Sequence, residues 1–182
     1  MRDRFAGCRT APGNQDTTMK ENNLPEDTPA GIPVTAPFIV VYLVRYIQNE
    51  ARFLIIKRDR EPYNGIWQPV TGRIEKGEKA WQAAMRETEE ETGLTPDRFY
   101  SANFIEKFYD LRNEIIAHCP AFVGFMDKDT EINLSAEHSE WRWVRAEEAI
   151  EKVAFSEQKK AIAHIKQYFI DNSPSEILRV EM

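Results

Sequence analysis

The stretch FIVVYLVRYIQNEARFLIIKR, residues 38–58, leaves the chain little freedom at its first folded element. Two runs of β-branched and aromatic residues flank the polar QNEA, and that arrangement reads as a β-hairpin. Further along, FYSANFIEKFY (99–109) and IIAHCPAFVGFM (115–126) are two more strand-like runs joined by DLRNE, and EWRWV is a short strand. Between the hairpin and these strands, residues 72–94 carry a helical pattern. Near the end, AEEAIEKV and SEQKKAIAHIKQYFI space their apolar residues by three and four, as helices do, with Ser156 a candidate N-cap for the second. The order strands, helix, strands, helices predicts an α/β fold in which helices cover both faces of a central mixed β-sheet, an α/β/α sandwich.

At 182 residues there is room for one such domain. Residues 1–37 lack an apolar period and predict a flexible N-terminal tail, with Met19 inside it as an alternative start; residues 38–171 make the domain and 172–182 a short C-terminal tail. No apolar run is long enough to span a bilayer, so no membrane partner is expected. The formal charge of -6 argues against a nucleic-acid duplex, whose phosphates need clustered Lys and Arg. An anionic substrate is still compatible with an acidic surface if metal ions lie between them. Two cysteines, Cys8 in the tail and Cys119 in an apolar run, make a disulfide framework implausible and favour a reducing cytoplasm, with Cys119 a small buried hydrophobe. Oligomeric state is not legible.

Chemistry concentrates in GRIEKGEKAWQAAMRETEEETGL, residues 72–94. On a helical wheel Ala80, Trp81, Ala84, Met85 and Thr88 fill an arc of about 140°, and Glu87, Glu90 and Glu91 an adjoining arc of about 100°. Like charges three and four residues apart repel, and anions at a helix C-terminus oppose the macrodipole. A hard divalent cation, Mg²⁺ or Mn²⁺, would relieve both. The competing reading is a solvated acidic face. Gly93 supplies the left-handed stop, Leu94 an apolar contact beyond it, and Pro96 blocks continuation.

The order Gly72, Glu78, Arg86-Glu87, Glu90-Glu91, Gly93-Leu94 resembles the Nudix box, G-x5-E-x7-R-E-U-x-E-E-x-G-U, where U is bulky and apolar. Thr88 departs from the pattern at one U position. The resemblance implies that Glu87, Glu90 and Glu91 are metal ligands, with Glu91 foremost, and that Glu78 pairs with Arg86 to orient the helix. Gly72 would let the main chain approach the metal, with the Thr71 carbonyl as the oxygen; an ordinary turn glycine is the alternative. WQPVTG, QAAMRE and EHSEWRW extend the likeness to the dihydroneopterin triphosphate and dATP pyrophosphohydrolase branch of the family. In that branch the Glu of the Glu-His pair is a further ligand and candidate base, here Glu137; a plain loop acid is its alternative. His138 reads as a hydrogen-bonded structural residue.

Of the four tryptophans, Trp81, Trp141 and Trp143 fall on packing or strand positions, at least two of them core, and Trp67 is the candidate to stack a base. Lys57 and Arg58, at a strand end, could reach phosphates or remain solvated. The resemblance implies Mg²⁺-dependent hydrolysis of a phosphoric anhydride in a nucleoside triphosphate or pterin triphosphate, giving a monophosphate and pyrophosphate. Its rivals are hydrolysis of a dinucleoside polyphosphate or nucleotide sugar, and an inactive nucleotide-sensing module.

Overall fold

The computed structural model describes residues 31–181. The tail expected before residue 31, with Cys8 and Met19, lies outside the described residues. Strand β1 (Val34–Thr35) is followed by the hairpin β2 (Phe38–Ile47) and β3 (Glu50–Arg58). Its loop is only Gln48 and Asn49, both at positive φ, the two-residue arrangement that matches the twist of antiparallel strands. Next come β4 (Trp67–Gln68), β5 (Val70–Arg73), helix α1 (Ala80–Thr92), β6 (Arg98–Asp110), β7 (Ile115–Met126), β8 (His138–Val144), α2 (Ala146–Lys152) and α3 (Ser156–Ile165). The last turn runs on as a π-helix, Lys166–Ile170. Ser156 is not the N-cap: Phe155 holds that position with no side-chain cap bond, and Ser156 already lies inside the helix.

One mixed sheet organises the unit. β2 runs parallel to β7, and its other edge is shared, with residues 38–41 pairing β5 and residues 44–47 pairing β3. β6 pairs β7, and β8 pairs β3. Because strand side chains alternate, β2 feeds two cores. Val40, Tyr42 and Val44 meet α2 and α3 through Ala149, Ala161, Ile162 and Ile165, whereas Ile39, Val41 and Leu43 meet α1 through Ala83 and Ala84. A strand buried on both faces needs no polar alternation, which explains the unbroken IVVYLV run. The α/β/α sandwich with a central mixed sheet is present.

The packed chain exceeds both domain limits expected from the sequence. β1 precedes residue 38 and pairs in parallel with Ile116 and Ala117. Beyond residue 171, the Val180 amide donates to the Phe99 carbonyl at 2.8 Å. Cys119 is a buried free thiol, which burial pushes up to about 12.

Candidate active site

Helix α1 carries the acidic cluster and is fixed at both ends. At its start the Gln82 side chain accepts the Lys79 amide at 3.0 Å, and the Gln82 amide donates to the Lys79 carbonyl at 2.9 Å. At its end Gly93 adopts φ 70° and returns its amide to the Glu89 carbonyl at 2.8 Å, the left-handed stop expected of it. Two further carbonyls there accept from the loop before β8: Asn133 donates to Thr92 at 2.9 Å and Ser135 to Glu91 at 3.1 Å. Thr88, the departure from the box pattern, is fully buried and satisfies its hydroxyl on the Ala84 carbonyl at 2.7 Å.

Arg86 does more than the expected pairing with Glu78. Its Nε and Nη2 grip both Glu78 oxygens at 3.0 and 3.1 Å, a bidentate, charge-assisted contact. Nη1 also donates to Glu87 at 2.9 Å and to Glu90 at 3.0 Å, and Nη2 donates to the Arg73 carbonyl at 2.9 Å. Arg86 therefore holds Glu78 below the usual carboxylate range and supplies, from within the protein, part of the positive charge that the helix end lacks. For Glu87, burial raises the carboxyl while Arg86 opposes. Glu90 lies at the exposed rim beside Arg86. Among the described residues no three acidic side chains are grouped so as to hold a metal ion; Glu78, Glu87 and Glu90 are gathered on Arg86 instead.

Gly72 is a close-approach glycine, and a turn glycine it is not. A Cβ there would lie 2.1 Å from Glu87 Cδ, and Gly72 is absent from the positive-φ glycines. Glu87 fills the vacant volume and accepts the Arg73 amide at 3.1 Å.

Glu91 differs from its neighbours. It is 7% exposed, and its Oε2 has no hydrogen-bond partner. Burial pushes its carboxyl up to about 8; the Glu87 charge adds to this, a hydrogen bond from the Thr71 main chain opposes it, and Glu137 also contributes. Thr71 is thus at the site by its main chain. Glu137 is held by Arg60 at 3.1 Å and Arg58 at 3.5 Å, and its amide donates to Ser135 Oγ at 3.3 Å. Sequence reasoning missed Arg73, Arg60 and Ser135. Only Ser135 left a local signal, as a serine two residues before an acid, a common turn former.

The fit of a divalent cation rests on this donor set. A buried carboxylate oxygen without a partner, on which the charges of Glu87 and Glu137 act, is a hard-oxygen donor of the kind that Mg²⁺ or Mn²⁺ takes.

The remaining candidates are placed otherwise. Arg58 lies at the Glu137 end of the cluster. Lys57 pairs with Glu140 at 2.6 Å. The Trp67 ring carries the Arg142 guanidinium at 5.0 Å and the Lys57 ammonium at 6.0 Å. Trp81 and Trp143 pack against the α1-side core, while Trp141 is exposed. His138 is buried beside Ser135 Oγ at 3.4 Å, and burial lowers it to about 4, so it is neutral at physiological pH.

Comparison with known proteins decides the family: the NUDIX domain model matches residues 37–165. The chain belongs to the Nudix family. As in the family, its reaction class is hydrolysis of phosphoric anhydride bonds. It is 31% identical over 134 residues to the pig protein named bis(5′-nucleosyl)-tetraphosphatase [asymmetrical], covering 69% of this chain and 86% of that one. It is 32% identical over 139 residues to an RNA pyrophosphohydrolase of Novosphingobium aromaticivorans, covering 67% and 84%. Among solved structures it is similar to the E. coli dihydroneopterin triphosphate pyrophosphohydrolase, with TM-score 0.60, 26% identity, and 76% and 99% of the two chains covered. Among the described residues of this Nudix protein, no helix is long and apolar enough to cross a membrane.

Proposed function

We propose that this Nudix enzyme is a Mg²⁺-dependent pyrophosphohydrolase, with Mn²⁺ as a substitute, that cuts a nucleoside or pterin triphosphate between its α and β phosphorus atoms. The observation that carries the reading is the buried, unpartnered Glu91 oxygen beside Glu87 and Glu137. Glu91, Glu87, Glu137 and the Thr71 carbonyl are the residues to hold the cation, with Glu90 joining if its contact with Arg86 is exchanged. When bound, the cation neutralises phosphate oxygens and makes water a better nucleophile. Arg86 and Glu78 fix the helix that presents Glu87 and Glu91, the positioning task that outer-shell residues perform in metal sites. Glu137, oriented by Arg58, Arg60 and Ser135, is the base that accepts the proton of the attacking water. The product pair is a monophosphate and pyrophosphate. With two cysteines and no long apolar helix among the described residues, a cytoplasmic small-molecule hydrolase is the consistent setting.

A second reading has support of its own, because the pig relative is named for a dinucleoside tetraphosphate. Incubating the protein with nucleoside triphosphates, neopterin triphosphate and diadenosine tetraphosphate, with and without Mg²⁺, separates the two. Pyrophosphate from a triphosphate, dependent on Mg²⁺, is the expected result. A diadenosine substrate outpacing every triphosphate, or free phosphate as the direct product, overturns the first reading and leaves the family membership untouched.

A further inference from the structure

Glu137 is given two tasks in the proposed reaction, and both of its carboxylate oxygens are already taken. Arg60 Nη1 lies 3.1 Å from Oε1, and Arg58 Nη1 lies 3.5 Å from Oε2. A carboxylate flanked by two guanidinium groups draws a cation or a proton weakly, because either adds positive charge where two charges already stand. One arginine has to withdraw before Glu137 can act.

The two differ in how free they are to do so. Arg58 ends β3, opposite His138 of β8, and its side chain is 20% exposed. Its charge also reaches the Glu91 carboxyl, so it stands within the cluster. Arg60 lies two residues further on, in the loop between β3 and β4, with a side chain 56% exposed. Among the described residues Glu137 is its only ion-pair partner. Arg86 shows the opposite case: Glu78 grips it through two bonds and the Arg73 carbonyl takes a third, so releasing Glu87 or Glu90 would not free it. Arg60 has no such anchor.

The main chain around Arg60 is held independently of its side chain. The Arg58 amide donates to the Ile66 carbonyl at 2.9 Å and the Gly65 amide to the Arg58 carbonyl at 2.8 Å, which closes the loop at its base. The Asp59 amide donates to the Glu137 carbonyl at 2.8 Å and ties the loop to that residue. Further out, the Tyr63 ring meets Phe155 edge to face at 5.4 Å. A change of rotamer is therefore enough to carry the Arg60 guanidinium off Glu137, and Arg58 and Ser135 keep Glu137 oriented when it goes. A guanidinium released at this exposed rim matches an anion that offers two oxygens in one plane, and phosphate groups offer them.

We propose that Arg60 is a substrate-binding residue that exchanges Glu137 for the phosphate chain, so that cation and phosphate are admitted together. This rests on the reading of Glu137 as a cation ligand. A cation alone has to displace Arg60 from Glu137, whereas with phosphate present Arg60 has another partner, so each ligand favours the other.

The test compares Arg60→Gln with the unaltered full chain in two measurements. In the first, Mg²⁺ is titrated without nucleotide and its half-saturation is read from the rise in melting temperature. Arg60→Gln should bind Mg²⁺ about two- to fivefold tighter, the size expected when an exposed ion pair no longer competes. In the second, a nucleotide that the unaltered protein turns over is used at saturating Mg²⁺. There Arg60→Gln should raise KM roughly tenfold with a smaller change in kcat, as loss of a charged hydrogen bond to the ligand does. The two changes have opposite signs, whereas a residue that only held Glu137 in place would weaken both when removed. Arg60→Lys, which keeps the charge, should return the Mg²⁺ affinity to near its original value and recover part of the KM. Arg179→Gln, which removes the same charge from the ion pair with Glu176, should leave both measurements unchanged. Mg²⁺ binding by Arg60→Gln that equals or falls below that of the unaltered protein overturns the proposal. Tighter Mg²⁺ binding with an unchanged KM overturns the role toward phosphate. No Mg²⁺ response in either protein removes the cation reading itself, and this proposal with it.

Discussion

Glu91 and Glu106 are both buried carboxylates, 7% and 6% exposed, and burial pushes them up to about 8 and about 7 respectively. They part company in how their oxygens end. Glu106 meets the Tyr42 hydroxyl, a neutral donor that the fold itself provides. Glu91 keeps an oxygen with no donor, although Arg86 stands on the same helix and binds three other glutamates. Leaving a buried acceptor unpaired costs about 1–3 kcal/mol, so such a group persists where an exogenous partner completes it. The protein thus neutralises the rim of its acidic cluster and leaves the centre unpaired, as the proposed cation site requires.

The largest break in this comparison is Glu91→Gln. If Glu91 awaits a cation and Glu106 does not, this isosteric change removes a ligand charge and should lower turnover by more than the roughly 10- to 100-fold loss typical of an outer-shell partner. Mg²⁺ should raise the melting temperature of the unaltered protein and leave that of Glu91→Gln nearly unmoved. Near-normal turnover of the variant at saturating Mg²⁺ would remove Glu91 from the site.

Arg86→Lys comes next. A lysine cannot reproduce the two parallel bonds to Glu78, so the helix loses its clamp while the charge stays. Turnover should fall by about 10- to 100-fold, with a rise in the Mg²⁺ concentration needed for half-maximal rate. An unchanged Mg²⁺ dependence would show that Arg86 has no part in positioning the ligands.

The smallest effect, and the one that sharpens the contrast, is in the pH dependence of stability without metal. The Glu106 carboxyl is raised from 4.5 to about 7 in the folded state, so the folded chain binds its proton more tightly than the unfolded one. Its contribution is fully present below about pH 4.5 and is lost as pH rises through about 7. Burial sets this window; the hydrogen bond from Tyr42 opposes it and the Glu157 charge adds to it. In EDTA, the melting temperature should decline between these limits, and Glu106→Gln should flatten part of that decline. A variant with the same slope as the unaltered protein would mean that Glu106 is solvated after all.

Local chemistry made much of this molecule legible. The hairpin, the α1 packing stripe and the Gly93 stop depend on residues within a few positions of one another, and the box order marked the helix that carries the acidic cluster. What the sequence left hidden spans distance. β1 is two residues between prolines, and its pairing with Ile116 and Ala117 lies some eighty positions away. The Tyr42 and Glu106 contact crosses from β2 to β6, and no periodicity in either strand announces it. Trp67 reads as an open aromatic until the register of β3 with β4 and β8 places Lys57 and Arg142 around it. Arg86 was expected to serve Glu78, but its reach to Glu87, Glu90 and the Arg73 carbonyl depends on where β5 ends relative to α1.

The empty volume at Gly72 carries a consequence for how this chain could vary. Glu87 occupies the space that any other residue at 72 would claim, so its side chain would have to swing aside to admit one. The two positions are therefore not free to drift separately. A methyl group at 72 is tolerable only if residue 87 has first shortened or turned away, and a residue 87 that has done so no longer receives the Arg73 amide. Substitutions at the pair should be strongly non-additive, with the second change costing far less than it would alone. In a descendant of this chain, a residue larger than glycine at 72 should therefore come with a changed or displaced side chain at 87.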